Sequence, residues 1–227
     1  MIFGINGNGG VPDIYAIRQS SNLFVYAVNN PIRWIDPSGL IIQLVGSEQE
    51  MMAAFGALQQ LTNDVLFFDF DTGIVGFIEI NGVRLQDFSD GVLEQGTGLV
   101  AELINSDEVI TVRGWLWGGG GMHMSGRVSA DVVNEVSYAV IDPNTGAVMR
   151  DPNTGEIVRQ FVPTSITLGH ELIHAWEFIN GIPSNEDALI GHTQNYPFTE
   201  NGLRAEQSGR RIHGYREFLP RALYRYR

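Results

Sequence analysis

Apolar positions along the chain follow several spacings in turn, and each spacing predicts an element. Ser47-Glu48-Gln49-Glu50 opens with the Ser-x-x-Glu form of a capping box, and Met51, Met52, Ala54, Phe55, Leu58 and Leu61 then recur at helical intervals. The two methionines read as core filling. Short β-prone runs follow at 65–70, 74–80 (with a turn at Asn81-Gly82) and 109–117, with a helix predicted over 99–104 between them. Asp142-Pro143-Asn144-Thr145-Gly146 recurs nine residues later as Asp151-Pro152-Asn153-Thr154-Gly155. Proline presets φ early in such a turn and glycine supplies a positive φ, so the pair predicts successive hairpin turns. Apolar residues at 166, 168, 172, 173, 175, 176 and 178 predict a well-buried helix, with Thr164 or Ser165 as N-cap and Gly181 as its stop. The first 40 residues differ. A Gly/Asn-rich start, a β-prone run at 23–28 and a Pro-punctuated segment at 29–40 predict a boundary and not an element interior. From Ile41 onward the pattern predicts an α+β domain, β-rich in its N-terminal part and helical in its C-terminal part.

Composition narrows the chemistry. The chain has 227 residues and a formal net charge of −12, and all 14 basic residues are Arg. Residues 204–227 hold seven Arg against two acids, a balance of +5, and the preceding 203 residues stand at −17. A body this acidic makes a poor nucleic-acid binder. Cysteine is absent, which excludes disulfides, a thiol nucleophile and Cys-ligated zinc, so any metal must be held by His and carboxylates. No apolar run approaches 18 residues, and the start lacks a basic stretch followed by an apolar one; neither a membrane span nor an ordinary signal peptide is expected. The Gly118–Gly121 run before Met122-His123-Met124 lacks the Lys of a phosphate loop and reads as a flexible loop near a site.

Two of the five histidines fall in His170-Glu171-Leu172-Ile173-His174, inside the buried helix. On a helix they lie about one turn apart on one face, so both imidazoles can reach one ion. Glu171, one step round, can reach a water on that ion without ligating it. This is the HExxH arrangement of metal-assisted hydrolysis, with a carboxylate as general base. A third ligand must be a carboxylate, and Glu186, Glu200 and Glu206 all follow within reach. A turn at 181–183 and a helix from Ser184 bring Glu186 back beside the first helix, and Thr199 caps a further helix carrying Glu200 and Glu206.

Two resemblances add to this reading. Asn22-Leu23-Phe24-Val25-Tyr26, Asn29-Asn30-Pro31 and Asp36-Pro37-Ser38-Gly39-Leu40 resemble the end of an Rhs-repeat core. That resemblance implies cleavage after Leu40 and, beyond it, a toxin domain first enclosed by the Rhs shell. The HELIHA stretch, Asn185-Glu186-x3-Ile190-Gly191, Thr199-Glu200-Asn201-x2-Arg204-x-Glu206 and Tyr215 resemble NleD-like effector zinc metallopeptidases and the zinc-binding stretch of clostridial neurotoxin light chains. The resemblance implies a Zn²⁺ site of His170, His174 and Glu186, with Glu200 as reserve. It also implies Glu171 as catalytic base, Tyr215 in oxyanion stabilisation, and Arg211 in place of a family Arg that falls at Ile212. The family's usual acid before the ligand and its Arg-Thr after it are Asn185, Ala188 and Leu189 in this chain.

Together these imply an Rhs core end at 1–40 and a zincin-like, gluzincin-like endopeptidase toxin at 41–227. Such an effector, lacking a signal peptide, would be delivered into target cells by a secretion apparatus. It would cut a target-cell protein and be matched by a cognate immunity protein. The alternative is a non-catalytic Rhs-derived binding module or inactive toxin relic recognised by an immunity protein. The Arg-rich tail is expected to pack on the acidic body and frame the cleft.

Overall fold

The computed structural model describes residues 42–115, 121–193 and 196–223, and side chains at 115–124 are outside the description. The predicted Rhs-like segment at 1–40 and its junction at Leu40 therefore lie outside the described residues.

Strand β1 (Ile42–Leu44) leads through the capping box into α1 (Glu48–Leu61). Both halves of the box are present: the Ser47 hydroxyl accepts from the Glu50 N–H, and Glu50 accepts from the Ser47 N–H. Strands β2 (Leu66–Phe68), β3 (Ile74–Phe77), β4 (Glu79–Ile80) and β5 (Val83–Arg84) follow. Asn81 and Gly82 both have positive φ (54° and 76°), as the predicted two-residue hairpin turn requires. Helix α2 (Glu94–Ile104) begins five residues before the predicted start, because its cap comes from far along the chain. Glu206 accepts from the N–H groups of Gln95 (2.5 Å) and Gly96 (3.0 Å).

Strands β6 (Ile110–Trp115), β7 (Gly121–Met124) and β8 (Arg127–Asp131) complete a six-stranded mixed sheet in the order β2-β3-β1-β6-β8-β7. β1, β6 and β8 run parallel, while β3 and β7 are antiparallel to their neighbours. Gly121–Met124, expected in a loop, is thus the terminal strand of this sheet. Ile42, Leu44, Ile110, Val112, Val128 and Ala130 are buried, while the alternating Gln43, Thr111, Arg113, Arg127 and Ser129 are half-buried or exposed. The period of two puts one face of the sheet into the core.

A second sheet pairs β9 (Val136–Ala139) with β10 (Arg159–Val162). The two Asp-Pro-Asn-Thr-Gly turns lie between them, with Gly146 and Gly155 at φ 67° and 74° and bridges Ile141–Val148 and Arg150–Ile157 flanking them, as the repeat predicts. The HExxH sequence lies on α3 (Thr164–Ile179), which packs on β8 and β7 and against α1 and α2. Its N-cap is Pro163 and not Thr164 or Ser165; no side chain caps it, and Thr164 is its first residue. α4 (Glu186–Ile190) and α5 (Glu200–Gln207) follow, the first starting two residues later than predicted with Asn185 as cap. The described chain is therefore an α+β structure with five α-helices. The expected division into a β-rich half and a helical half holds only loosely, since α1 and α2 lie within the first and pack with α3.

Gly96 marks a close approach of α2 to the end of α1: a Cβ there would stand 1.9 Å from the Leu61 carbonyl oxygen, and backbone cannot yield as a side chain can. Gly96→Ala should cost about 3 kcal/mol, the upper end of overpacking effects. Thermal and urea unfolding would show this as a clear fall in midpoint; a wild-type midpoint would contradict the tight α1–α2 contact.

Candidate metal centre

Twelve of the 16 residues of α3 are buried, including His170, Glu171 and Glu177. Ionisable groups so placed must find partners within the protein. His170 Nδ1 lies 2.8 Å from Glu200 Oε2, and His174 Nδ1 lies 2.7 Å from Glu177 Oε2. A carboxylate only accepts, so each bond favours the proton on Nδ1 and makes Nε2 the unprotonated ring nitrogen. Both Nε2 atoms face Glu186, at 3.7 Å from Oε1 for His170 and 3.5 Å from Oε2 for His174. Among the described residues these three side chains form a group that could hold a metal ion, with one ligand atom from each inside 4.8 Å of the others.

The donor set fits an ion. Two ligands about 2.1 Å from a tetrahedral centre stand about 3.4 Å apart, close to both His–Glu186 separations and too long for good hydrogen bonds between them. Glu186 is 42% exposed on its side chain, so the site opens to solvent on that side. Beside it lies a cleft of about 720 Å³ lined by Ile182, Pro183, Asn185, Tyr196 and Leu223 among others. Glu171 Oε1 stands 3.9 Å from His170 Nε2. Burial pushes the Glu171 carboxyl above its ordinary range, partly offset by the two imidazoles. That direction suits a proton acceptor working near neutrality.

Of the three candidate carboxylates, Glu186 alone presents its oxygens to the Nε2 atoms. Glu200 is fully buried behind His170, and Glu206 caps α2. Burial alone would raise the Glu200 carboxyl, yet His170, Arg204 and Arg221 together hold it well below the usual carboxylate range. Arg204 donates from Nε at 2.8 Å and Arg221 from a terminal nitrogen at 2.6 Å.

Arg221 is the residue that sequence reasoning missed. Its segment pairs with Val140 as a short antiparallel bridge, with Ile141 N–H donating to Pro220 O and Ala222 N–H to Ala139 O. The guanidinium, 4.4 Å over the Tyr138 ring, lies 3.5 Å from Glu186 Oε1. The charge imbalance between tail and body was the available signal, but it could not say which Arg reaches the site. The tail does dock on the acidic body: Arg204 on Glu200, Arg210 on Asp90, Arg216 on Glu135, and Arg221 on Glu200 and Glu186.

Arg211 and Tyr215 stand elsewhere. Both line a separate cleft with Asp90, Glu206 and Arg210, and none of their described contacts reaches His170, His174 or Glu186. Tyr215 is 67% exposed at a positive φ of 61°. The side chain of His123, on β7, is not described. No helix among the described residues is long and apolar enough to cross a membrane.

No family model matches the chain, and no curated protein or solved structure gave a significant match. The functional reading therefore rests on the residues and their geometry.

Next to the second cleft, His213 is buried and bonded through Nε2 to Gln207 Oε1 at 2.6 Å. Burial first, then Arg210 and Arg216, lower its pKa from 6.5 to about 4. Between those pH values the unfolded chain takes a proton that the folded chain refuses, so stability falls as pH drops through this window. His213→Gln should lose less stability than wild type between pH 7 and pH 4, measured by urea unfolding. Equal losses would show that His213 does not titrate this way.

Proposed function

We propose that the chain is a zinc-dependent endopeptidase. The observation that carries the reading is the convergence of His170 Nε2, His174 Nε2 and a Glu186 oxygen, each imidazole oriented from behind by a carboxylate, with the Glu171 carboxylate alongside. A zinc ion in such a site supplies Lewis acidity, polarising a carbonyl and making water acidic enough to serve as a nucleophile near neutral pH. Glu171 then acts as general base, taking the water's proton and returning it to the departing amine. Arg221, fixed by Glu200 and lying against Glu186, is the nearest described cation to the cluster and can balance negative charge as it develops on the substrate carbonyl oxygen. This geometry supports giving Arg221 the oxyanion role that the resemblance implied for Tyr215.

A protein substrate is favoured because β7 ends the sheet beside α3, where an extended segment can add as a strand. We further propose a zincin-like fold and, on the resemblances at 20–40 and 170–215, an effector role. In that role the domain beyond Leu40 is delivered from an Rhs shell into a target cell and recognised by an immunity protein.

Metal analysis and peptidase assay test the activity. Wild type should carry about one zinc per chain. Glu171→Gln should keep the metal and lose at least about 100-fold in cleavage of target-cell proteins, read from new termini in treated extract. Glu186→Ala should lose the metal. A wild type without stoichiometric metal, or a Glu171→Gln chain that cleaves at the same rate, overturns the reading.

A further inference from the structure

HExxH chemistry does not call for Glu177, and nothing in the sequence singles it out. It sits on the last turn of α3, three residues after His174, and is 1% exposed. Its two carboxylate oxygens face different partners. Oε2 lies 2.7 Å from His174 Nδ1. Oε1 accepts the Asn185 N–H at 3.0 Å and the Tyr196 hydroxyl at 2.8 Å. Asn185 caps α4 and directly precedes Glu186. One side chain is thus bonded to the ring of one candidate ligand and to the backbone next to another.

We propose that Glu177 is a positioning residue that sets His174 and Glu186 together for the metal. The inference rests on reading the cluster as a metal centre. Two physical constraints support it. The first is the tautomer. A neutral imidazole carries one N–H, and the acceptor-only Glu177 draws that proton to Nδ1, leaving Nε2 to ligate. The Ser184 hydroxyl, 3.1 Å from the same Nδ1, can either donate or accept and does not decide the matter. The second is the placement of Glu186. A five-residue helix such as α4 does not hold itself in water, so its position depends on the burial of Ala188, Leu189 and Ile190 and, at its Glu186 end, on polar tethers. These tethers are the Asn185 side chain on the Ala188 N–H and Glu177 on the Asn185 N–H. Burial and Glu177 push the Tyr196 phenol up to about 12, so its hydroxyl stays a donor across the working range.

Glu177→Gln keeps the volume but divides the group into one acceptor and one donor. With the amide NH₂ toward His174, Nδ1 must accept and the proton moves to Nε2, which removes the ligating lone pair. With the NH₂ toward Asn185 and Tyr196, donor meets donor and the tether to Glu186 is lost. Either orientation weakens the site.

The test uses the full chain, stripped by a chelator and titrated with zinc against a chromophoric competitor, together with nitrogen-15 spectra of the His174 ring in the metal-free protein. Glu177→Gln should fold, bind zinc about 10–100-fold more weakly and lose the Nδ1–H form that dominates in wild type. Tyr196→Phe, which removes one of three bonds, should show a smaller loss. Glu102→Gln is the control: Glu102 accepts from the α3 residue Trp176 at 2.5 Å but touches no candidate ligand, and zinc affinity should be unchanged. Wild-type affinity and tautomer in Glu177→Gln, or equal weakening in Glu102→Gln, overturns the inference while leaving the metal reading intact. A wild type that takes up no zinc overturns the metal reading itself, and this inference with it.

Discussion

The organisation of the C-terminal half follows from burying ionisable groups on one helix. α3 is enclosed by the sheet and by α1, α2 and α5, yet it carries one imidazole and two carboxylates among its buried positions and a second, half-buried imidazole at His174. Unpartnered, each would cost several kcal/mol or change protonation state. Partners come from separate places: Glu177 from α3 itself, Glu200 from α5, and Arg221 from the chain's last described segment. Glu200 is the extreme case, with no exposure, and it is tolerated because Arg204, equally buried, and Arg221 surround it. Removing one partner of such a cluster typically costs about 3–5 kcal/mol, because the remaining charge is left buried and alone. A charge cluster of this kind is an expensive way to stabilise a fold. Its cost is better understood through what it does at His170, where it fixes the ring proton and points Nε2 outward.

The rigid and adjustable parts of the site are distinct. The two histidines and Glu171 stand on a long helix packed on β8 and β7, where register is set by backbone hydrogen bonds and a dense core. Glu186 stands at the exposed start of a short helix whose later residues are buried, its own end held by side-chain tethers, and Arg221 stands on a short bridge to Val140. The components that would meet substrate from the open side thus depend in part on a few specific bonds. Substitutions that leave the core untouched can therefore still disable the centre.

Much of this was legible in the sequence, and the residues show where legibility ended. The Ser47 box, the Asn81-Gly82 turn, the paired Asp-Pro-Asn-Thr-Gly turns and the Thr199 cap are local devices, and local devices are written in adjacent residues. The His170–His174 spacing is local in the same sense. Helix α2 was read short because its N-terminal donors are satisfied by Glu206, more than 100 residues away, which no local pattern reveals. Gly121–Met124 reads as loop because the glycine run at its start hides a strand that only pairing with β8 defines. Choosing among Glu186, Glu200 and Glu206 required knowing which carboxylate faces the front of the imidazoles and which faces the back, and that is a tertiary fact. The tail's positive charge predicted docking on the acidic body, but singling out Arg221 required the bridge to Val140.

The most direct measurement of the central claim is X-ray absorption at the zinc edge of the purified, metal-loaded chain. The account predicts one zinc with a four-coordinate shell of about 2.0–2.2 Å distances, two imidazoles among its nitrogen and oxygen donors, and loss of this signature in Glu186→Ala. A shell without two imidazoles, or one unaltered by Glu186→Ala, would contradict it.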